Sequence, residues 1–562
     1  MWRCVFLFFG VLQVNAEDPI ATTNYGQVRG QTMSTYRNTT YYAYFGIPYA
    51  APPVGRLRFQ APQPPSSWSG IRDAKTSDKI CIQWLHNIGG ETEDCLYLNV
   101  ETPVVMFLTQ LQYRVITLIN TFFDRIISQF QAPGSSERLP VMVNIYGGGF
   151  LYGFAGRRPG GAGFLAEKGV VAVSFNYRVG PFGFLSTLDS SIRGNMGLKD
   201  QQMALRWIQQ NIHNFGGDPA KVTLTGQSAG SASVTYHLLA PSSAGLFRAA
   251  IGQSGSALCE WAYHRDPVSV VYGMASALDS RITTQNTTQQ VLLFLQSVPV
   301  QQIKALDRRF YIFAPVIDGE MITAPMYDSV KNGKVNKVPL LIGINSEECI
   351  GKAVRPDWFN RMRVMDPRPE TFLPGGLAEH INTTMLSSVG ALVRKFYCNG
   401  NFTAHLGQSA QYDSDNRFVR AIIKFAELYS QHADVYFYHF SFQGQIFNNH
   451  INVDGVHGVG HGEDLRYLYA PYANLDSFPW EDRVTVERYS TLFTNFAKYE
   501  NPTPVPDELF QRLIVPKVTP SDFTYLDIDK YLSLKKNPRN PWYREWVSLF
   551  DKYANSSSLI TY

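Results

Sequence analysis

Short runs of apolar residues along this chain alternate with stretches whose apolar positions recur at helical spacing. Val141-Met142-Val143-Asn144-Ile145-Tyr146 and Gly169-Val170-Val171-Ala172-Val173-Ser174-Phe175 are rich in β-branched residues, are bounded by Gly or Pro, and read as buried strands. Between them Gly163 to Lys168 accommodates one short helix. Met203 to Ile212 has helical spacing, Val222-Thr223-Leu224-Thr225 returns to a strand, and further strands are expected at Pro339 to Gly343 and Val435 to Phe440. Strand alternating with helix predicts a mostly parallel sheet covered on both faces, because a parallel return needs a crossover, usually helical. No Pro- or Ser-rich linker divides the chain, so residues 17–562 are expected to form one large α/β domain with long insertions.

One stretch departs from that alternation. From 104 to 130 the chain is apolar at 108, 111, 115, 118, 119, 122 and 126 and polar at 110, 114, 117, 121, 124 and 128, the pattern of an amphipathic helix. Gln110, Gln112, Arg114 and Asn120 fall inside its most apolar window and argue against a membrane span. The segment enters the strand at 141–146 from its beginning, so it does not serve as a lid over chemistry placed at the strand's end. Two readings remain: an interfacial or partner-binding helix, or residues absent from the mature protein through a misread exon boundary.

The ends and the composition narrow the class. Arg3 supplies a positive charge, Val5 to Val14 is apolar, and Val14-Asn15-Ala16 offers a small-residue cleavage site, so residues 1–16 read as a secretory leader. Sequons at Asn38, Asn286, Asn382, Asn401 and Asn555 agree with export. With the leader removed, Cys81, Cys95, Cys259, Cys349 and Cys398 remain, an odd number, so at least one thiol stays free or pairs outside the chain. Cys81 and Cys95 are the best intrachain pair, closing a short polar loop around Gly89-Gly90, with a stabilisation of about 3 kcal/mol in the chain-entropy picture. A net charge of +4 over 562 residues, without a basic run, excludes nucleic acid as an expected partner.

The strongest chemical signal is Gly226-Gln227-Ser228-Ala229-Gly230, placed after the strand at 222–225 and before the helix-like run from Ser231 to Leu239. Glycines at both ends of such a stretch permit a sharp strand-to-helix turn that lifts the serine hydroxyl above the sheet. A serine hydroxyl needs a base to take its proton and an acid to orient that base, and in this arrangement they follow in the order acid, then histidine. Among the eleven histidines, His461 lies in the glycine-flanked Gly458-Val459-Gly460-His461-Gly462-Glu463-Asp464. His457 stands four residues earlier, and the residues alone leave both open. Developing charge on a carbonyl oxygen requires preorganised donors, and Gly148 and Gly149 of the Gly147-Gly148-Gly149 turn, with the amide of Ala229, form a candidate oxyanion hole.

From about Gly26 to Trp546 the chain resembles the type-B carboxylesterase and cholinesterase family. The resemblance is carried by Tyr44-Phe45-Gly46-Ile47-Pro48-Tyr49-Ala50, Glu93-Asp94-Cys95-Leu96-Tyr97-Leu98-Asn99-Val100, Gly147-Gly148-Gly149-Phe150, Asn176-Tyr177-Arg178-Val179-Gly180, Asn195-Met196-Gly197-Leu198-Lys199-Asp200-Gln201 and the serine turn. It implies the α/β-hydrolase fold and a secreted serine esterase acting on small ester substrates without metal or cofactor. It further implies Ser228 as nucleophile, His461 rather than His457 as base, a Cys81–Cys95 disulfide and an ion pair from Glu93 to Arg58. The family's acid closes a Gly-x-Asn-x-x-Glu-Gly stretch, here Gly343 to Cys349, which implies Glu348, with Glu347 the alternative and Cys349 in place of the usual glycine. Trp84 stands too near Cys81 to resemble the choline-binding tryptophan of cholinesterases and is expected to pack, while Phe150 is expected among aromatics lining the approach to the serine. Gln227 is similar to insect juvenile hormone esterases, a narrower alternative. Family members without the serine are adhesion or binding proteins, the alternative of a different class.

Overall fold

The structure, a computed structural model, describes residues 18–562 except 77, 86, 105–137, 156–161, 307–311, 448–449, 470–471 and 555–558. The leader at 1–16, Asn555 and all of the 104–130 stretch but its first residue lie outside the described residues.

An 11-stranded sheet forms the centre. In chain order its strands are β1 (Gln31–Ser34), β2 (Thr40–Pro48), β3 (Tyr97–Pro103), β4 (Leu139–Ile145), β5 (Val171–Phe175), β6 (Gly217–Gln227), β7 (Ala249–Gln253), β8 (Leu340–Asn345), β9 (Val435–Phe440), β10 (Thr524–Ile528) and β11 (Ser533–Lys536). Across the sheet they run β11-β10-β9-β8-β7-β6-β4-β5-β3-β2-β1. Every pair from β5 through β10 is parallel, and antiparallel strands finish both edges. Alternate residues of a strand serve opposite faces. Val141, Val143 and Ile145 therefore enter one core cluster while Met142 enters the other, with Ile251 and Leu341. Burial on both faces explains why the central strands read as continuous apolar runs.

The principal helices for the site are α1 (Met196–Asn211), α2 (Ala229–Leu239), α3 (Leu406–Ser414), α4 (Arg420–Tyr429) and α5 (Trp480–Tyr499), with a π-helical turn, Asp415–Val419, joining α3 to α4. Helix α1 begins seven residues before the expected start at Met203, because its first turns bury polar groups that erase the amphipathic pattern. Asp200 is fully buried and holds Arg178 through 2.7 and 2.8 Å hydrogen bonds, while Gln201 and Gln202 bond to Ser233, Ser242 and Ser243.

Two expectations drawn from the resemblance have counterparts in the packing. Cys81 and Cys95 are bonded; Cys259 and Cys349 are buried free thiols and Cys398 is half-buried. Arg58 meets both oxygens of Glu93 at 2.6 and 2.7 Å and gives its other nitrogen to the carbonyls of Leu295 and Val298, so this is a buried pair rather than a surface one. Residue 103 ends β3 and residue 139 begins β4 at the same edge of the parallel block, the edge from which the strands start. The segment between them thus leaves and rejoins the fold at the end opposite Gly147.

Removing one partner of a buried pair leaves an uncompensated charge. Glu93→Gln is expected to lower unfolding free energy by about 3 kcal/mol, read as a reduced denaturant midpoint; an unchanged midpoint would contradict this account of the pair.

Candidate active site

Strand β6 delivers the chain to Ser228 and α2 carries it away, and the turn between them is set by close backbone approach. A Cβ on Gly226 would lie 2.4 Å from the carbonyl of Gly230, and one on Gly230 would lie 2.0 Å from the carbonyl oxygen of Ile145 at the end of β4. No side chain fits either position. Ser228 itself holds φ 59° and ψ −123°, an unfavourable conformation for a residue with a Cβ. It is held there by its N–H, which donates to the carbonyl of Gln253 at 2.8 Å, and by its carbonyl, which accepts from Ala232 at 2.9 Å. The side chain ends at the positive end of α2. Ser228 is 8% exposed, and its hydroxyl makes no hydrogen bond among the described residues.

His461 and Glu348 are brought together directly. His461 Nδ1 donates to Glu348 Oε2 at 2.7 Å, and the backbone N–H of His461 donates to the carbonyl of Glu348 at 2.9 Å. Glu348 is buried, and its other oxygen accepts from the Asn345 N–H at 2.8 Å, so the carboxylate is fixed on both sides. The neighbouring Glu347 points elsewhere: Arg539 meets both of its oxygens at 2.8 Å, and Gln411 adds a third bond. His457 is exposed and pairs with Gln443, away from either glutamate. The geometry therefore joins Glu348 to His461, the pair that the resemblance implied, and holds Glu347 and His457 apart from it.

No hydrogen bond joins Ser228 to His461. The Nε2 of the imidazole faces the side-chain amide of Gln227 at 3.1 Å instead. A side-chain amide N–H₂ can only donate, so in this contact Nε2 accepts from Gln227 while Nδ1–H faces the carboxylate. Sequence reasoning placed Gln227 beside the nucleophile without assigning it this contact.

The backbone donors are in place. Gly148 (φ 109°) and Gly149 (φ 62°) turn the chain beyond β4, and the Gly148 carbonyl is tied down by the N–H groups of Leu151 and Tyr152. A Cβ on Gly148 would meet the Tyr152 carbonyl oxygen at 2.0 Å, so that position admits glycine alone, whereas a Cβ on Gly149 meets open space. The N–H groups of Gly148, Gly149 and Ala229 donate to nothing among the described residues. Three unspent donors around an uncommitted hydroxyl are suited to an anion that forms only during reaction.

A polar network braces the two loops. Asp464, fully buried, accepts from Asn345 at 3.1 Å, Gln253 at 2.9 Å and Tyr489 at 2.7 Å, and burial raises its carboxyl above the usual range. Asn345 also donates to the carbonyl of Gly460. Four elements are thereby joined beneath the imidazole, a role that Asp464 did not reveal in the sequence. Phe418, in the π-helical turn, tilts against His461 with ring centres 4.5 Å apart, and Trp261 packs on Phe418 at 5.6 Å. Phe150 does not line an open approach: it is fully buried behind Trp261 and Phe184, because its backbone follows Gly149 into the core. Trp84 packs edge-on to Phe313 at 5.2 Å, as expected of a core residue. Among the described residues no group of His, Cys, Asp or Glu is placed to hold a metal ion.

A family model described as the carboxylesterase family matches residues 17–546. Among similar proteins, the cocaine esterase of Homo sapiens is 31% identical, over 87% of this chain and 85% of its own length. The juvenile hormone esterase of Tribolium castaneum is 31% identical over 88% and 86%. Venom carboxylesterase-6 of Apis mellifera is 36% identical over a shorter stretch, 61% and 60%.

Gly149, in the turn beyond β4, and Gly230, in the serine turn, differ in the space around them. Gly230→Ala is expected to cost at least about 3 kcal/mol through overpacking, and Gly149→Ala about 1–2 kcal/mol from its left-handed backbone alone, both read in chemical denaturation. Equal losses at the two sites would contradict the assigned contacts.

Proposed function

The chain belongs to the carboxylesterase family and has its α/β-hydrolase fold, and from that premise we propose that it hydrolyses carboxylic esters through an acyl-enzyme on Ser228. The observation that carries the reading is the set of unspent Gly148, Gly149 and Ala229 N–H groups around a strained, uncommitted serine, next to an imidazole aligned by a buried carboxylate.

In this mechanism Ser228 Oγ attacks the ester carbonyl carbon while His461 Nε2 takes its proton, and Glu348 holds the imidazolium through Nδ1. The carbonyl oxygen becomes negative among the three N–H groups, where preorganised dipoles act without reorganising. His461 passes its proton to the departing alcohol. Water then enters, gives a proton to His461, attacks the acyl carbon and releases the acid, with the proton returning to Ser228. For the first transfer the amide of Gln227 must give up the Nε2 lone pair that it occupies at rest. The narrower juvenile hormone esterase-like reading is supported by the identity of residue 227 and by the juvenile hormone esterase among the similar proteins. A family member acting only in adhesion has no use for such an arrangement.

Secretion belongs to the same proposal. It is supported by the leader pattern at 1–16, the Cys81–Cys95 disulfide, and sequon asparagines Asn38, Asn382 and Asn401 on the exposed surface, with Asn286 partly exposed. No helix among the described residues is long and apolar enough to cross a membrane.

Ser228→Ala is expected to lower kcat for an aryl butyrate by about 10^4-fold or more and to abolish labelling by a fluorophosphonate, with the melting temperature unchanged. Glu348→Gln is expected to cost about 10^4-fold, since the amide no longer fixes the correct tautomer. His461→Ala should lose as much as the serine variant, whereas His457→Ala, away from the reacting groups, should stay within about twofold. Retained turnover in Ser228→Ala would remove the mechanism. A substrate panel containing a juvenile hormone analogue and acetylthiocholine tests the narrower reading: strong preference for the former supports it, and indifference removes it.

A further inference from the structure

In a trans peptide the C=O and the N–H that follows it share one plane and point in opposite directions. The N–H of Gly148 is therefore aimed by whatever holds the carbonyl of Gly147, and the N–H of Gly149 by whatever holds the carbonyl of Gly148. The Gly148 carbonyl accepts from the N–H groups of Leu151 at 3.0 Å and Tyr152 at 3.2 Å. Gly153 lies so close to the Gly147 carbonyl that a Cβ there would come within 2.6 Å of the oxygen and 2.4 Å of the Tyr146 ring. Both aiming contacts are thus made by residues 151–153, and the two donors point where that short stretch sets them.

The grip on 151–153 comes from outside the turn. Gln83 is fully buried, and its side-chain amide engages both backbone groups of Gly153: Oε1 accepts from the N–H at 2.6 Å, and Nε2 donates to the carbonyl at 3.1 Å. Nε2 also donates to the Cys81 carbonyl at 2.7 Å. The next residue, Trp84, donates its backbone N–H to the carbonyl of Leu151 at 2.9 Å. Gln83 is itself anchored, since its N–H donates to Glu91 Oε2 at 3.1 Å, and Glu91 also accepts from the Ile88 N–H and pairs with Lys304 within the loop closed by Cys81 and Cys95. A buried amide with its oxygen and its nitrogen both paired resists rotation, because turning it leaves polar groups unmatched.

We propose that Gln83 is a positioning residue for the oxyanion hole: through Gly153 it sets the peptide planes of 147–149 so that the Gly148 and Gly149 N–H groups face the reacting carbonyl oxygen. The inference rests on the proposed esterase role of those donors. It makes the disulfide-closed loop part of the catalytic framework, although no residue of that loop touches the reacting atoms.

Gln83→Met keeps the side-chain length and removes all three hydrogen bonds of the amide. With active sites counted by fluorophosphonate titration, kcat per site for an aryl butyrate is expected to fall about 30-fold, with KM within about twofold. An aryl trifluoromethyl ketone reads the oxyanion directly: Ser228 Oγ adds to the ketone carbon, its proton passes to His461, and the ketone oxygen takes up the negative charge. Its Ki is expected to rise by the factor by which kcat falls. A residue that only stabilises the fold would lower the number of titratable sites and leave kcat per site unchanged. That result overturns the proposal, as does a rise in KM alone or an unchanged Ki. Should Gln83→Met fail to fold, Gln83→Glu replaces it, keeping an acceptor for the Gly153 N–H and losing the donors. Its kcat is expected to fall about tenfold, and an unchanged kcat there overturns the proposal. Hydrogen exchange at the Gly153 N–H, which needs no substrate, is expected to be at least about tenfold faster in the variant, and equal exchange overturns the clamp. If the wild type turns over no aryl ester, the esterase reading falls, and exchange alone decides whether Gln83 holds the turn.

Discussion

The site depends on a backbone contact with no room for a side chain. Gly230, in the first turn of α2, sits against the carbonyl of Ile145 so closely that a Cβ would come within 2.0 Å of the oxygen. This presses the start of α2 onto the end of β4. From that single approach follow the tight passage from β6, the positive φ of Ser228, and the nearness of the Ala229 N–H to those of Gly148 and Gly149 just beyond β4. Strain at one residue persists only where its surroundings over-determine it. Here the hydrogen bonds to Gln253 and Ala232 supply that restraint.

Glu348 and His461, the proposed acid and base, come from loops, which by themselves hold side chains less precisely than strands and helices. The structure compensates with buried polar groups whose partners are complete enough to fix direction. Asp464 gathers Asn345, Gln253 and Tyr489 under the imidazole, and Arg539 draws Glu347, Asp415 and the Ser346 carbonyl together beside the acid. The π-helical turn carries both Asp415, bonded to Arg539, and Phe418, packed on His461, so the brace beside Glu348 and the ring against the imidazole share one local irregularity. Such turns recur at functional sites because an added residue redirects side chains that a regular helix would align.

Much of this was legible in the chain. The central strands announce themselves because burial on both faces demands unbroken apolar runs, and the serine turn does so because its glycines are sterically obligatory. Of the antiparallel strands, β2 and β3 were touched only by family motifs, and the outermost β1 and β11 not at all: β2 shifts register between Tyr44 and Ile47, which breaks the two-residue alternation that marks a strand. The early turns of α1 were hidden by Asp200, Gln201 and Gln202, polar residues in buried positions. The resemblance pointed to Glu348, but nothing in the residues themselves set it apart from Glu347, since adjacent carboxylates differ only in where the loop aims them, one at His461 and the other at Arg539. The amide of Gln227 at the imidazole was unreadable for the same reason, and Phe150 was misjudged because the turn at Gly149 sends it inward.

The chain between residues 103 and 139 is attached where the parallel strands begin, a full strand length from the serine. Architecture of this kind separates two evolutionary currencies, length and chemistry. Material can be gained or lost at that margin while the reacting groups, anchored at the opposite rim, experience no change in geometry.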